Sequence, residues 1–89
     1  MEYIIVFPDT NSAITAESRL PVAGVAVSVM PLPESIGTGC GITLRLDERS
    51  LSKALRILHE CNVDVGAVYL REKAPMGYKY TLHDGHIAG

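Results

Sequence analysis

The first hydrophobic feature of the chain is Tyr3-Ile4-Ile5-Val6-Phe7, a continuous run of β-forming residues that predicts a strand buried on both faces. Pro8 stops it. Asp9 or Thr10 can then N-cap a helix beginning near Asn11, with Ala13, Ala16 and Leu20 along one side. Pro21 disfavours helix at Leu20, so an end or kink is expected there, with Gly24 as the exit. Val25 to Met30 alternates with period two and predicts a second strand, closed by Pro31-Leu32-Pro33. Residues 34–41, ESIGTGCG, form a glycine-rich loop. Ile42-Thr43-Leu44-Arg45-Leu46 follows as the cleanest alternation in the chain, a strand with one apolar face. Asp47 can cap a second helix, along which Leu51, Ala54, Leu55, Leu58 and Cys61 recur at helical spacing. Asn62 suits the left-handed position that ends it, and Val63 to Arg71 reads as a fourth strand.

The order is βαββαβ. Two right-handed βαβ crossovers joined by a hairpin predict an α+β, ferredoxin-like plait. Its antiparallel sheet would have the order 4-1-3-2, with both helices on one face and the apolar first strand in the middle. A doubly wound sheet would need more helices than this chain offers. Residues 1–71 are read as a single domain. Residues 72–89 are read as a C-terminal tail, partly mobile, whose Tyr78–Leu82 can add an edge strand.

Composition narrows the function. The chain has 89 residues, of which 47% are apolar and 20% charged, which suits one folded domain. A net charge of −2 gives no basic footprint for nucleic acid. No apolar run approaches the length of a membrane span, and no basic region precedes the first apolar run as in a signal peptide. A cytoplasmic location is therefore expected, with Cys40 and Cys61 as free thiols. The sequence has no CxxC, HExxH, GxGxxG or P-loop motif. No cofactor is implied.

Cys40 is the candidate nucleophile. In the expected plait it lies just ahead of strand 3, close to the turn from strand 1 into helix 1. The amides of Thr10, Asn11 and Ser12 and the positive helix end favour an anion there, and a thiolate is one. Gly39 and Gly41 remove side-chain bulk around it, and Thr38, Thr10 and Ser12 offer hydroxyl donors. Arg45 is either an anion or partner contact or an ordinary outward strand residue. Cys61 continues the apolar stripe of helix 2 and is read as a core residue. A metal site from Cys40, His59, Cys61, His83 and His86 is disfavoured, because the tail that carries two of these is glycine-rich.

Three segments together resemble a known family: the opening YIIVFPDT, the stretch VMPLPESIGTGCGITLR, and the short helix and strand that follow. They are similar to the small selenium/sulfur (Se/S) carrier protein-like family over roughly residues 2–71. The shared features are the apolar first strand, the P-x-P turn at Pro31 and Pro33, the Gly-flanked Cys40-Gly41, and Arg45. Glu34 departs from the pattern, since a basic residue often follows the P-x-P turn there.

The resemblance implies a carrier whose Cys40 thiolate accepts sulfur or selenium from a persulfide or selenide donor, such as a cysteine desulfurase intermediate. Cys40 would hold it as a persulfide or its selenium analogue and pass it to an acceptor protein. Catalysis would be supplied by the partners rather than by this chain. The alternative is a non-catalytic binding or regulatory module, acting as a homodimer through the sheet face that the helices leave uncovered.

Overall fold

The computed structural model describes residues 1–37 and 41–83. It is an α+β structure: β1 (Glu2–Val6), α1 (Thr10–Val22), β2 (Ser28–Pro31), β3 (Ile42–Asp47), α2 (Leu51–Glu60), β4 (Ala67–Ala74) and β5 (Gly77–Leu82). A 3-10 turn, Glu48–Ser50, leads into α2. The sheet has five antiparallel strands in the order β2-β3-β1-β4-β5, not four in the order 4-1-3-2. The pairs β1–β3, β1–β4 and β2–β3 are the expected neighbours. The added strand, β5, pairs with β4 and takes over its edge.

The register explains why β1 is apolar throughout. Tyr3 stands opposite Leu46 and Leu70, and Ile5 opposite Leu44 and Val68. Ile5, Leu44, Leu46 and Val68 join Phe7 in one cluster with Ala13, Ala16 and Leu20 of α1 and Leu51, Ala54 and Leu58 of α2. Alternation sends Ile4, Val6 and Thr43 to the opposite, helix-free face, where they too are buried. The Thr43 hydroxyl donates to the Met30 carbonyl at 3.1 Å, so this buried polar group is satisfied.

Two strands begin later than their patterns predict, for one reason. At the end of α1, Gly24 adopts φ +88°, its N–H donates to the Pro21 carbonyl, and Val25 N–H reaches back to Leu20 at 2.9 Å. At the end of α2, Asn62 adopts φ 59°, its N–H donates to His59, and Val63 N–H reaches Leu58 at 2.9 Å. These are paired Schellman caps, in which the residue after the left-handed position seals the helix and packs on it. Val25 and Val63 are thus spent on helix termini, and β2 starts at Ser28 and β4 at Ala67.

Three further expectations are corrected. Helix α1 runs through Pro21 to Val22, because a proline in the last turn forfeits only one intrahelical bond. Asp47 caps the 3-10 turn, donating no proton but accepting the Arg49 N–H at 2.8 Å, while α2 proper starts at Leu51. Cys61 is exposed, not core, because α2 ends at Glu60 and leaves Cys61 at the cap, where the apolar stripe no longer faces the sheet.

Candidate functional site

Three segments converge at the end of the sheet where β1 exits. The first is the turn into α1. Asp9 is the N-cap: its carboxylate accepts the Ser12 N–H at 2.8 Å and its carbonyl accepts the Ala13 N–H at 3.3 Å. Of the first-turn amides named from the sequence, Ser12 is therefore committed to Asp9. Those of Thr10 and Asn11 open the helix and have no intrahelical acceptor. Thr10 and Asn11 are exposed and Ser12 is half-buried.

The second segment is the entry to β3. Val6 stands opposite Thr43 in the last pair of the β1–β3 ladder, and Gly41 precedes Thr43 by two residues. Leu32 N–H donates to the Gly41 carbonyl at 3.1 Å, adding one rung to the β2–β3 ladder beyond the Pro31–Ile42 pair. The loop out of β2 makes a tight turn, with Ile36 and Gly37 N–H both donating to the Pro33 carbonyl and Gly37 at φ +68°. Glu34 is exposed on this turn. Gly41 has no left-handed backbone, and a Cβ built on it meets nothing within 4 Å.

The third is the entry to β4. Gly66 N–H donates to the Val6 carbonyl at 2.8 Å. A Cβ on Gly66 would lie 3.0 Å from that oxygen and 3.4 Å from both Phe7 C and Pro8 N. Only glycine lets the two backbones approach this closely.

Thr38, Gly39 and Cys40, three of the residues assigned to the site from sequence, lie outside the described residues. Cys40 is joined by one peptide bond to Gly41, whose position is given above. Asp9 was foreseen as a cap, but its electrostatic effect was not: it sets a carboxylate at the helix end assigned to stabilise a thiolate. Its place beside Thr10-Asn11-Ser12 in the sequence already carried that signal.

Arg45 sits elsewhere. It is four residues into the chain from Gly41, about 13 Å along the strand, on the helix-free face. There its Nε pairs with the Glu2 carboxylate at 3.5 Å. The other oxygen of Glu2 accepts from Arg71 at 2.5 Å, Arg71 Nε donates to the Tyr80 hydroxyl at 3.3 Å, and the guanidinium lies 3.5 Å from the Tyr78 ring centroid. Burial works against the Arg71 charge, but the hydrogen bonds to Tyr80 and Glu2 outweigh it and raise its pKa. No sequence motif announces this cluster, because only strand register brings Glu2 opposite Arg71. His59 is exposed on α2. Among the described residues, no three His, Cys, Asp or Glu side chains lie close enough to hold a metal ion. Nor is any described helix long and apolar enough to cross a membrane.

The described residues define a small α+β protein, with two helices laid on a five-stranded antiparallel sheet. The chain is a member of the family described as "Putative Se/S carrier protein-like", whose model matches residues 2–70. That match contains Cys40, Gly41 and Arg45 and ends within β4, so β5 lies beyond it. No curated protein and no solved structure matches the chain.

Proposed function

We propose that this protein carries sulfane sulfur, or selenium in its place, on Cys40 and delivers it to a partner protein. Membership of the Se/S carrier family over a match that contains Cys40 is the observation that carries the reading. The Cys40 thiolate attacks the terminal sulfur of a donor persulfide, such as one held by a cysteine desulfurase. A new S–S bond forms, the donor's S–S bond breaks, and the donor leaves as a thiolate. An acceptor thiolate then attacks the terminal sulfur of the Cys40 persulfide, and Cys40 returns as the leaving thiolate. Neither exchange consumes an oxidant or a reductant. The selenium version is the same exchange at a terminal selenium atom.

In this reading Gly39 and Gly41 keep the sulfur accessible, and Thr38, Thr10, Asn11 and Ser12 supply donors toward its negative charge. The thiolate is helped by the Thr10 and Asn11 amides and opposed by Asp9, so the helix end tunes the cysteine in both directions. Arg45, tied to Glu2, contributes to a partner-facing surface rather than to the sulfur. The ferredoxin-like classification and a cytoplasmic setting, where thiols stay reduced, fit the same reading.

The rival reading, a binding module working through the helix-free face, is less well supported. Ile4, Val6 and Thr43 at the middle of that face are already buried, and among the described residues its large exposed apolar side chains, Tyr78 and Leu82, belong to β5.

The test is intact mass under non-reducing conditions after incubation with a cysteine desulfurase and cysteine. The parent and Cys61→Ser are expected to gain one sulfur, and Cys40→Ser none. A gain that survives Cys40→Ser, or no gain with persulfide and selenopersulfide donors alike, overturns the proposal. In the same assay Asp9→Asn is expected to load faster below pH 8, because removing the carboxylate charge favours the thiolate.

A further inference from the structure

The β4–β5 hairpin reaches past the rest of the sheet. Pairing of β4 with β1 stops at Glu2–Arg71, whereas pairing with β5 continues through Glu72–Lys79, Lys73–Tyr78 and Ala74–Gly77. The last three pairs form a two-stranded arm about 10 Å long at the strand rise. Met76 at its tip is wholly exposed, and Tyr78 and Leu82 of β5 are 48% and 53% exposed. A two-stranded ribbon is marginal by itself, so an arm of this kind gains most from a further strand.

The hydrogen-bonding direction of β5 can be read from one bond. His83 N–H donates to the Val68 carbonyl at 2.8 Å, and Val68 and His83 are opposite in the β4–β5 register. Bonded pairs alternate along an antiparallel ladder, so Thr81, Lys79 and Gly77 also turn their N–H and C=O toward β4. Tyr78, Tyr80 and Leu82 therefore turn theirs outward. Among the described residues β5 pairs with β4 alone, which leaves this row without a strand partner. The opposite edge is unlike it: β2 has four residues, and Pro31 among them has no N–H to give.

We propose that β5 is a dimerisation edge, and that two copies of this chain pair through it antiparallel about a two-fold axis at Tyr80, giving a continuous ten-stranded sheet. Charge selects that register. An axis at Lys79 would set two lysines directly opposite each other, which is destabilising. With the axis at Tyr80, Lys79 faces Thr81 of the second copy. Tyr80 then pairs with Tyr80 and Tyr78 with Leu82 of the second copy, all through outward-pointing groups. This satisfies six backbone hydrogen bonds by ladder geometry. The exposed Tyr78 and Leu82 cover each other on the helix-free face, and each arm lies beside the base of the other copy's β5. The contact is isologous and closes on itself, so it yields a dimer and no fibre. It is independent of Cys40 and of the carrier reading, since β5 lies outside the family match.

The test uses the full chain in sedimentation equilibrium from about 5 to 500 μM, a range suited to a small, strand-edge interface. The parent is expected to rise from the monomer mass to twice that mass. Thr81 is exposed and meets Lys79 of the second copy twice, so Thr81→Lys is expected to weaken the dimer and Thr81→Glu to tighten it. At a few-fold per contact, each variant's dissociation constant should move about tenfold from the parent's, in opposite directions. In a Cys40→Ser, Cys61→Ser background, Tyr80→Cys is expected to crosslink to its own copy under mild oxidation, since bonded-pair Cα atoms lie about 5.5 Å apart. Thermal melts confirm that each variant folds. A parent that stays monomeric throughout overturns the proposal. So does a dimer with the same constant in both Thr81 variants, or one in which Tyr80→Cys fails to crosslink.

Discussion

Gly66→Ala is the sharpest stability test of how the end of the sheet is built. The added Cβ would sit 3.0 Å from the Val6 carbonyl oxygen and 3.4 Å from two more backbone atoms, Phe7 C and Pro8 N. None of these is the end of a flexible side chain, so the strands themselves must part by a few tenths of an ångström. That movement lengthens the 2.8 Å bond from Gly66 N–H to Val6. Overpacking of this kind costs about 1–3 kcal/mol. Gly66 is not in the left-handed region, so alanine also stiffens the unfolded chain, offsetting about 0.4–1 kcal/mol. The net loss is expected to be about 1–2 kcal/mol. For a domain of this size that lowers Tm by roughly 5–15 °C. Thermal and urea melts followed by circular dichroism measure it, with Gly41→Ala as the control. A Cβ on Gly41 meets nothing within 4 Å, so that variant should stay within about 0.5 kcal/mol of the parent. If Gly66→Ala is equally silent, or Gly41→Ala equally costly, the close approach of β4 to the β1 exit is not what holds this corner.

Leu58→Ala, at the centre of the α2 contact with the sheet, is expected to lose about 2–5 kcal/mol in urea melts, whereas Ile14→Ala on the exposed side of α1 should lose under about 0.5. The Asp47 carboxyl has its pKa lowered below 3.8, first by the hydrogen bond from the Arg49 backbone. Its stabilising effect is therefore fully present above that value and fades as pH falls through the lowered folded pKa. Urea midpoints of the parent and Asp47→Asn should accordingly converge as the pH is lowered from about 6 into the acid range below 3.8. Arg71→Met should cost about 1–2 kcal/mol, less than a fully buried pair because Glu2 is partly solvated. A double-mutant cycle with Glu2→Gln should show coupling between the two, and additive losses would mean that the pair contributes nothing.

Much of the fold was legible because it depends on local pattern. The apolar run Tyr3–Phe7 demanded a central strand, Ile42–Leu46 demanded a one-sided strand, and the α2 stripe demanded a helix laid on the sheet. Asn62 announced its left-handed cap, and Asp9 its helix. The failures have a common cause in helix termini. Val25 and Val63 look like the first residues of strands but serve as the sealing residues of Schellman caps, and Cys61 looks like core but falls one position past the last helical turn. A periodic pattern shows which face a residue would have, not where the helix stops.

What the sequence by itself determined is the set of elements, their order, the central place of β1, and membership of the family whose match contains Cys40-Gly41. Those follow from residue chemistry at short range: period, capping and glycine. Tertiary structure alone decided the rest. Register brought Glu2 between Arg45 and Arg71, sixty-nine positions separating Glu2 from Arg71, and drew Tyr78 and Tyr80 onto the same guanidinium. Hairpin geometry paired β5, the edge strand the sequence already offered at Tyr78–Leu82, with β4 and fixed which of its backbone groups point outward. Such contacts depend on which residues meet across strands, and no window along one chain contains both partners.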